Sequence, residues 1–187
     1  MKVAITGGIG SGKSYVCKRL NAIGIEVYDC DAAAKRLMRT STELQHQLQE
    51  LIGEEVFEEG VLQKAVMARF LLESEENNQA INDIVHPAVA RDFENSGLEW
   101  IESAILFESG FINRIYIDKV VCVTAPEEVR VERIVERDSI SREKALEWIH
   151  RQLPQEAVLH RSDYEIVNDG KQDIDKQISR LLEQIRE

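Results

Sequence analysis

Apolar and polar positions alternate along the chain in two distinct rhythms. Residues 2–6 form a short apolar run, Lys2-Val3-Ala4-Ile5-Thr6, of the kind found in a strand buried on both faces. From Lys13 to Ile23 the period changes to that of a helix, with Val16, Leu20 and Ile23 on one side and Gly24 closing it. A second strand is predicted over Ile25–Asp29 and a helix from Asp31 to about Arg39.

Residues 40–97 read differently. Thr40-Ser41-Thr42-Glu43 is a capping-box pattern, and Leu44, Leu48 and Leu51 form a helical stripe ended by Gly53. Further helices are predicted over Gln63–Leu72 and Asn77–Val85, with Pro87 disfavouring helix at His86. No central strand is expected here, so this stretch reads as a helical insertion. The strand and helix alternation then resumes. Strands are predicted at Trp100–Leu106, Lys119–Thr124 and Tyr164–Val167. Thr124-Ala125-Pro126-Glu127 is expected to cap a helix reaching about Arg137. Residues 138–160 read as charged helix without a strand, and Ile174, Ile178, Leu181 and Ile185 mark a final amphipathic helix. Five strands separated by helices predict an α/β fold with a parallel sheet.

Composition narrows the function. The chain has 187 residues and a formal net charge of −11, which argues against a general nucleic-acid binder. No apolar run approaches the ~20 residues of a membrane helix, and the chain opens on a strand without a signal-peptide pattern. Cys17, Cys30 and Cys122 match no zinc or CxxC spacing and are expected to be reduced. Together these predict a cytoplasmic protein without membrane or nucleic-acid partners. A monomer or weak homo-oligomer is a separate expectation.

The chemistry enters at Gly7-Gly8-Ile9-Gly10-Ser11-Gly12-Lys13-Ser14, which fits G-x-x-x-x-G-K-[ST] between a predicted strand and a predicted helix. Glycines let the backbone bring its N–H groups close to phosphate oxygens. The helix start favours an anion. Lys13 is expected to bridge the β- and γ-phosphates, and the Ser14 hydroxyl to be a ligand of Mg²⁺. Tyr15 follows, where many such loops carry Thr. An accidental glycine turn is the bland alternative, and the strand-loop-helix order weighs against it. A guanine-reading Asn-Lys-x-Asp segment is absent from the sequence, which moves weight to ATP.

Asp29 and Asp31 fall at the end of strand two, where alternation puts them on one face. Ligands bind at such carboxyl ends. One of the pair is expected to cap the next helix and the other to take a proton from an attacking hydroxyl, Asp31 being the choice for the base. Arg130, Arg133 and Arg137 lie on one helical stripe before the charged segment. Arg137 is the first choice for a lid arginine closing over a triphosphate and Arg133 the second. The competing reading is surface pairing with Glu128, Glu132 and Glu136. His86 stands out beside Pro87, but a lone histidine is more often structural.

Taken together, Thr6–Ser14, Asp29-x-Asp31, His86-Pro87, Leu106-Phe107-Glu108, Arg137-Asp138, Gln152, Asp163-Tyr164 and Asn168-Asp169-Gly170 resemble the dephospho-coenzyme A kinase family, in order and over almost the whole chain. The resemblance implies a three-layer P-loop NTPase fold with a five-stranded parallel sheet. It implies a core (1–31, 98–137 and 161–187), a helical acceptor-binding insertion (32–97) and a helical lid (138–160). It implies transfer of the γ-phosphoryl group of ATP, with Mg²⁺, to the ribose 3′-hydroxyl of dephospho-coenzyme A. By position, Lys13, Asp31 and Arg137 would be catalytic. Gly8, Ile9, Gly10, Ser11, Gly12, Lys13, Ser14, Tyr15, Arg133, Arg137, Asn168 and Gly170 would bind ATP. Asp31, His86, Leu106 and Glu108 would bind the acceptor. Ser103-Ala104 and Tyr15 depart from the family's usual Pro and Thr. A nucleoside or nucleoside monophosphate kinase, and a non-catalytic ATP-binding module, are the alternatives.

Overall fold

The computed structural model describes residues 1–186. In chain order the elements are β1 (Val3–Thr6), α1 (Lys13–Ala22), β2 (Val27–Asp29), α2 (Cys30–Thr40), α3 (Thr42–Ile52), β3 (Phe57–Glu58), β4 (Val61–Leu62), α4 (Lys64–Glu73), α5 (Glu75–Ser96), β5 (Trp100–Glu102), β6 (Lys119–Thr124), α6 (Glu127–Asp138), α7 (Arg142–Arg151), α8 (Gln155–His160), β7 (Tyr164–Val167) and α9 (Ile174–Arg186). They form two compact units. The first comprises Met1–Tyr28, Leu98–Ile112 and the chain from Tyr116 onward; the second comprises Asp29–Gly97 with Asn113–Ile115.

The first unit carries a five-stranded parallel sheet in the order β2-β5-β1-β6-β7, with flanking helices making a three-layer α/β fold. Central β1 pairs with β5 (Val3 opposite Trp100) and with β6 (Val3 opposite Lys119). Val3, Ile5, Val121, Val123 and Ile166 pack with Val16 and Leu20 of α1 and Ile178 and Leu181 of α9 in one core. Val131 and Ile134 of α6 pack with Ala145 and Ile149 of α7 in another. Fully burying a side chain of this size contributes ~1.5–3 kcal/mol. The carboxyl ends of the central strands, where ligands bind in open sheets of this kind, thus lie beside the turn from β1 into α1.

The second unit is helical. Ser41 Oγ accepts from Leu44 N–H at the start of α3, and Ser74 Oγ accepts from Asn77 N–H at the start of α5. Leu44, Leu48, Val85, Val89 and Phe93 are buried.

Several expectations are corrected. The helix expected to stop before Pro87 continues to Ser96. Val89, Ala90 and Phe93 are buried beyond the proline, and that packing offsets the ~3 kcal/mol that an interior proline costs. A two-residue antiparallel pair, β3 with β4, lies in the segment expected to lack strands. Its turn places Glu59 (φ 49°) and Gly60 (φ 78°) in left-handed backbone, which is the primed-turn geometry that suits hairpins. The strand expected over Trp100–Leu106 ends at Glu102. Ile105–Phe107 coil instead, with Ser109 Oγ donating to Ile105 C=O at 2.6 Å and Ile112 N–H to Leu106 C=O at 3.1 Å. Leu106 and Phe107 are buried there, so a buried turn has the apolar composition of a strand. Thr124 does not cap α6: Pro126 is its N-cap, without a side-chain bond, and Thr124 Oγ1 donates to Glu165 at 2.5 Å.

Candidate active site

Gly12 is the hinge between the loop and α1. It adopts left-handed backbone (φ 91°) as the N-cap, and a Cβ there would lie 2.0 Å from Asn168 Nδ2. The position therefore demands glycine on both counts. The first turn of α1 holds no acidic residue, and no side chain caps it. A helix start of that composition favours an anion through its N–H groups and its dipole. Ser11 Oγ is buried without a protein hydrogen-bond partner, an orphaned donor of the kind a phosphate oxygen satisfies. Lys13, at the start of α1, turns back over the loop. Its Nζ lies 3.5 Å from Gly8 C=O and 3.9 Å from Glu102 Oε1, with both side chains largely buried.

The outward-facing backbone groups of the loop are held by distant side chains. Arg130 Nε donates to Ile9 C=O at 2.9 Å. Arg133 Nη1 donates to Gly10 C=O and Ser11 C=O, both at 3.2 Å, and its Nη2 to Asn168 C=O at 2.9 Å. Asn168 Nδ2 donates to Ser11 C=O at 3.0 Å. Beside this lattice lies a cavity of about 550 Å³, whose walls include Gly12, Tyr15, Arg133, Asn168, Gly170 and Ile174. That volume falls in the range of ordinary small-molecule sites.

Residues 1–173 match the family model described as dephospho-CoA kinase. A dephospho-CoA kinase of Bacteroides fragilis (strain YCH46) is 39% identical over 189 residues, covering 97% of this chain and 91% of the relative. A crystal structure of a Thermus thermophilus protein superposes with a TM-score of 0.83 at 32% identity, covering 99% of this chain and 97% of the other. A dephospho-CoA kinase from Campylobacter jejuni shares the fold, with a TM-score of 0.65 at 21% identity and coverage of 99% and 98%. This chain belongs to the dephospho-CoA kinase family.

Members of this family are ATP-dependent kinases, and the expected residues can be located one by one. In the first unit Gly8–Tyr15, Arg133, Asn168 and Gly170 gather around the loop and the cavity. Arg137, the first choice for a lid arginine, is exposed at the end of α6 and pairs with its neighbour Asp138 at 2.7 Å. Glu108 Oε1 accepts from Leu153 N–H at 3.3 Å. Leu106 is wholly buried, so its side chain has a packing role and offers no surface to a ligand.

In the second unit the aspartate pair separates in role. Strand alternation does not reach Asp31, because β2 ends at Asp29 and α2 starts at Cys30. Asp29 Oδ1 accepts from Ala32 N–H at 2.9 Å and caps α2, leaving Asp31 exposed in the first turn. His86 lies within α5. Burial, and then the Arg114 cation, hold its pKa below the ordinary imidazole value, against an opposing pull from Asp83.

Three residues of the site were not assigned from sequence. Arg130 stands on the arginine stripe without a sequence signal that separates it from its neighbours, and Gln152 carries no local signal of a role. Glu102 was absorbed into a strand, although a carboxylate ending the apolar run Trp100-Ile101 at a strand terminus was a signal. Among the described residues no cluster of three or more His, Cys, Asp or Glu could hold a metal. Mg²⁺ does not need one, since it binds through one or two protein oxygens with substrate phosphates and water. The Ser14 hydroxyl and Glu102 carboxylate are hard oxygen donors of that type. Among the described residues no helix is long and apolar enough to cross a membrane.

Proposed function

We propose that this chain transfers the γ-phosphoryl group of ATP to the ribose 3′-hydroxyl of dephospho-coenzyme A, giving coenzyme A and ADP, the last step of coenzyme A synthesis. The observation that carries the reading is the match of residues 1–173 to the dephospho-CoA kinase family. The loop supports it, because its cation and helix start suit a polyphosphate.

In this reading the α1 N–H groups and Lys13 grip the phosphates, and the 550 Å³ cavity receives the nucleoside between Tyr15, Asn168 and Ile174. Arg133 serves twice, shaping the loop and walling that cavity. Asp31 orients the acceptor hydroxyl and takes its proton, a task that its exposed carboxylate in the first turn of α2 is placed to perform. Ser14 and Glu102 are the residues that would hold Mg²⁺, which supplies neutralisation of phosphate charge when bound. Residues 138–160 act as the lid and 32–97 as the acceptor-binding insertion, where His86 contributes. Arg137 exchanges Asp138 for the triphosphate when the lid closes. Cytoplasmic action suits three cysteines that form no disulfide.

The test is direct. Incubation with ATP, Mg²⁺ and dephospho-coenzyme A should raise the acceptor mass by one phosphoryl group, with ADP formed in equal amount. AMP, CMP and shikimate should remain unmodified. Transfer to one of these, and none to dephospho-coenzyme A, would overturn the proposal.

A further inference from the structure

A loop this rich in glycine has little conformational preference of its own, so its shape must be imposed from outside. The Ile9 N–H donates to Gln152 Oε1 at 2.7 Å, and the Ile9 C=O accepts from Arg130 Nε at 2.9 Å. Two successive peptide groups are thereby pinned on the outer side of the phosphate loop. Both side chains also crowd Gly8: a Cβ there would lie 2.3 Å from Arg130 Nη2 and 3.3 Å from Gln152 Oε1.

Gln152 differs from the other braces in where it comes from. Arg130 and Arg133 belong to α6 and Asn168 follows β7. Gln152 closes α7, its own N–H donating to Ile149 C=O at 3.3 Å. The α7–α8 segment also rests on α6, through the Val131, Ile134, Ala145 and Ile149 cluster and the exposed pairs Arg142–Glu128 and His150–Glu127. Exposed pairs of that kind are weak. The segment is tied at its α8 end by Ala125 N–H donating to Gln155 Oε1 at 3.1 Å and Leu153 N–H to Glu108 Oε1 at 3.3 Å. Gln152 is the tie that reaches the phosphate loop. A part-buried amide that loses its acceptor is costly, so Ile9 and Gln152 each restrain the other.

We propose that Gln152 is a positioning residue that couples the α7–α8 segment to the phosphate loop. A polyphosphate held by the loop orders α7 and α8 through the Ile9 peptide, and by reciprocity an ordered segment tightens the loop. This rests on the donor-site reading above.

The experiment combines amide hydrogen exchange in α7 and α8, with and without a saturating non-hydrolysable ATP analogue, and kcat/KM for ATP. In the wild-type chain the analogue should slow exchange in both helices. Gln152→Leu, which offers Ile9 no acceptor, should lose that slowing and ~10-fold in kcat/KM, the scale of one hydrogen bond. Gln152→Glu keeps an acceptor oxygen and should restore both to within ~3-fold. Gln152→Leu should melt a few degrees below wild type, because Ile9 N–H loses its acceptor, and Gln152→Glu close to it. Unchanged exchange of the β1 and β6 amides in Gln152→Leu at the assay temperature separates coupling from damage to the fold. Wild-type binding of the analogue with an unaltered exchange response in Gln152→Leu overturns the coupling alone. Equal impairment of the Leu and Glu variants also overturns it. A wild-type chain that binds no analogue overturns the donor-site reading and the coupling with it.

Discussion

In the phosphate loop, the backbone groups of residues 9–11 are held by Arg130, Arg133, Gln152 and Asn168, partners separated from them by 121 to 157 positions. In the helical unit the equivalent bonds are local. Ser41 caps Leu44 and Ser74 caps Asn77 at three positions, while Asn77 Nδ2 reaches Phe70 C=O and Asn78 Nδ2 reaches Leu71 C=O at seven. Long-range ion pairs occur there too, Arg36–Asp92 and Arg114–Asp83, but on partly exposed side chains. The two regions thus draw their order from different sources. The helical unit can take up its helices from nearby residues. The loop acquires its shape only when β1, α6, α7 and the segment after β7 have assembled, because loop-closure entropy must be met first.

One substitution in each region separates chemistry from architecture. Lys13→Ala removes the loop's cation and should lower turnover by at least ~100-fold while also weakening ATP binding. ADP release with dephospho-coenzyme A and calorimetric titration with ATP measure the two effects. Asp31→Asn in the helical unit should lower kcat by ~100-fold and leave ATP affinity unchanged, since the lost group acts on the acceptor. Near-normal turnover in Asp31→Asn would remove it as the base. A parallel loss of ATP affinity would show that the helical unit contributes to the donor site.

What could be read in advance follows the same division. Residues 7–14 are contiguous and each has a stated chemical reason, so the glycine-rich turn from β1 into α1 was legible as a string. The end of α3 at Gly53 and the bounds of β6 and β7 were legible because caps and apolar runs are local. The braces were not. Arg130, Arg133 and Arg137 share one helical stripe; Asp138 beside Arg137 is a local partner, but nothing local marks Arg130 as the arginine that meets Ile9. Gln152 acquires meaning only from the fold that brings it to Ile9, and Glu102, marked in sequence by its place after Trp100-Ile101, acquires its partner Lys13 the same way. The passage of α5 through Pro87 was hidden for another reason: the local rule was sound, but burial of Val89 and Phe93 outweighed it.

That override can be tested. Pro87→Ala restores the missing N–H to α5 and relieves ring crowding at Asp83, four residues earlier. It should stabilise the helical unit by ~1–3 kcal/mol in urea unfolding, the scale of an interior proline's cost. ATP binding by the loop should be unchanged, in keeping with the separate origins of order in the two regions. No gain in stability would mean that α5 already accommodates the proline without penalty.

The smallest expected effect lies next to it, at His86. Its pKa is depressed in the folded chain, chiefly by burial and then by Arg114. The unfolded chain titrates near the ordinary value of ~6.5. Between the two values the unfolded state binds more protons, so stability rises with pH across that window. Above it His86 is neutral in both states and imposes no penalty. As pH falls below ~6.5 the penalty grows, and it is complete once pH passes below the depressed folded value. His86→Gln removes the titration without adding a charge. Melting temperature should therefore fall less steeply for His86→Gln than for wild type between pH 7.5 and about 5, with the two slopes alike above pH 7.5. Identical slopes throughout would mean that α5 opens enough around residue 86 to hydrate the imidazolium. That outcome would place this turn, beside Pro87, among the loosely held parts of the helical unit.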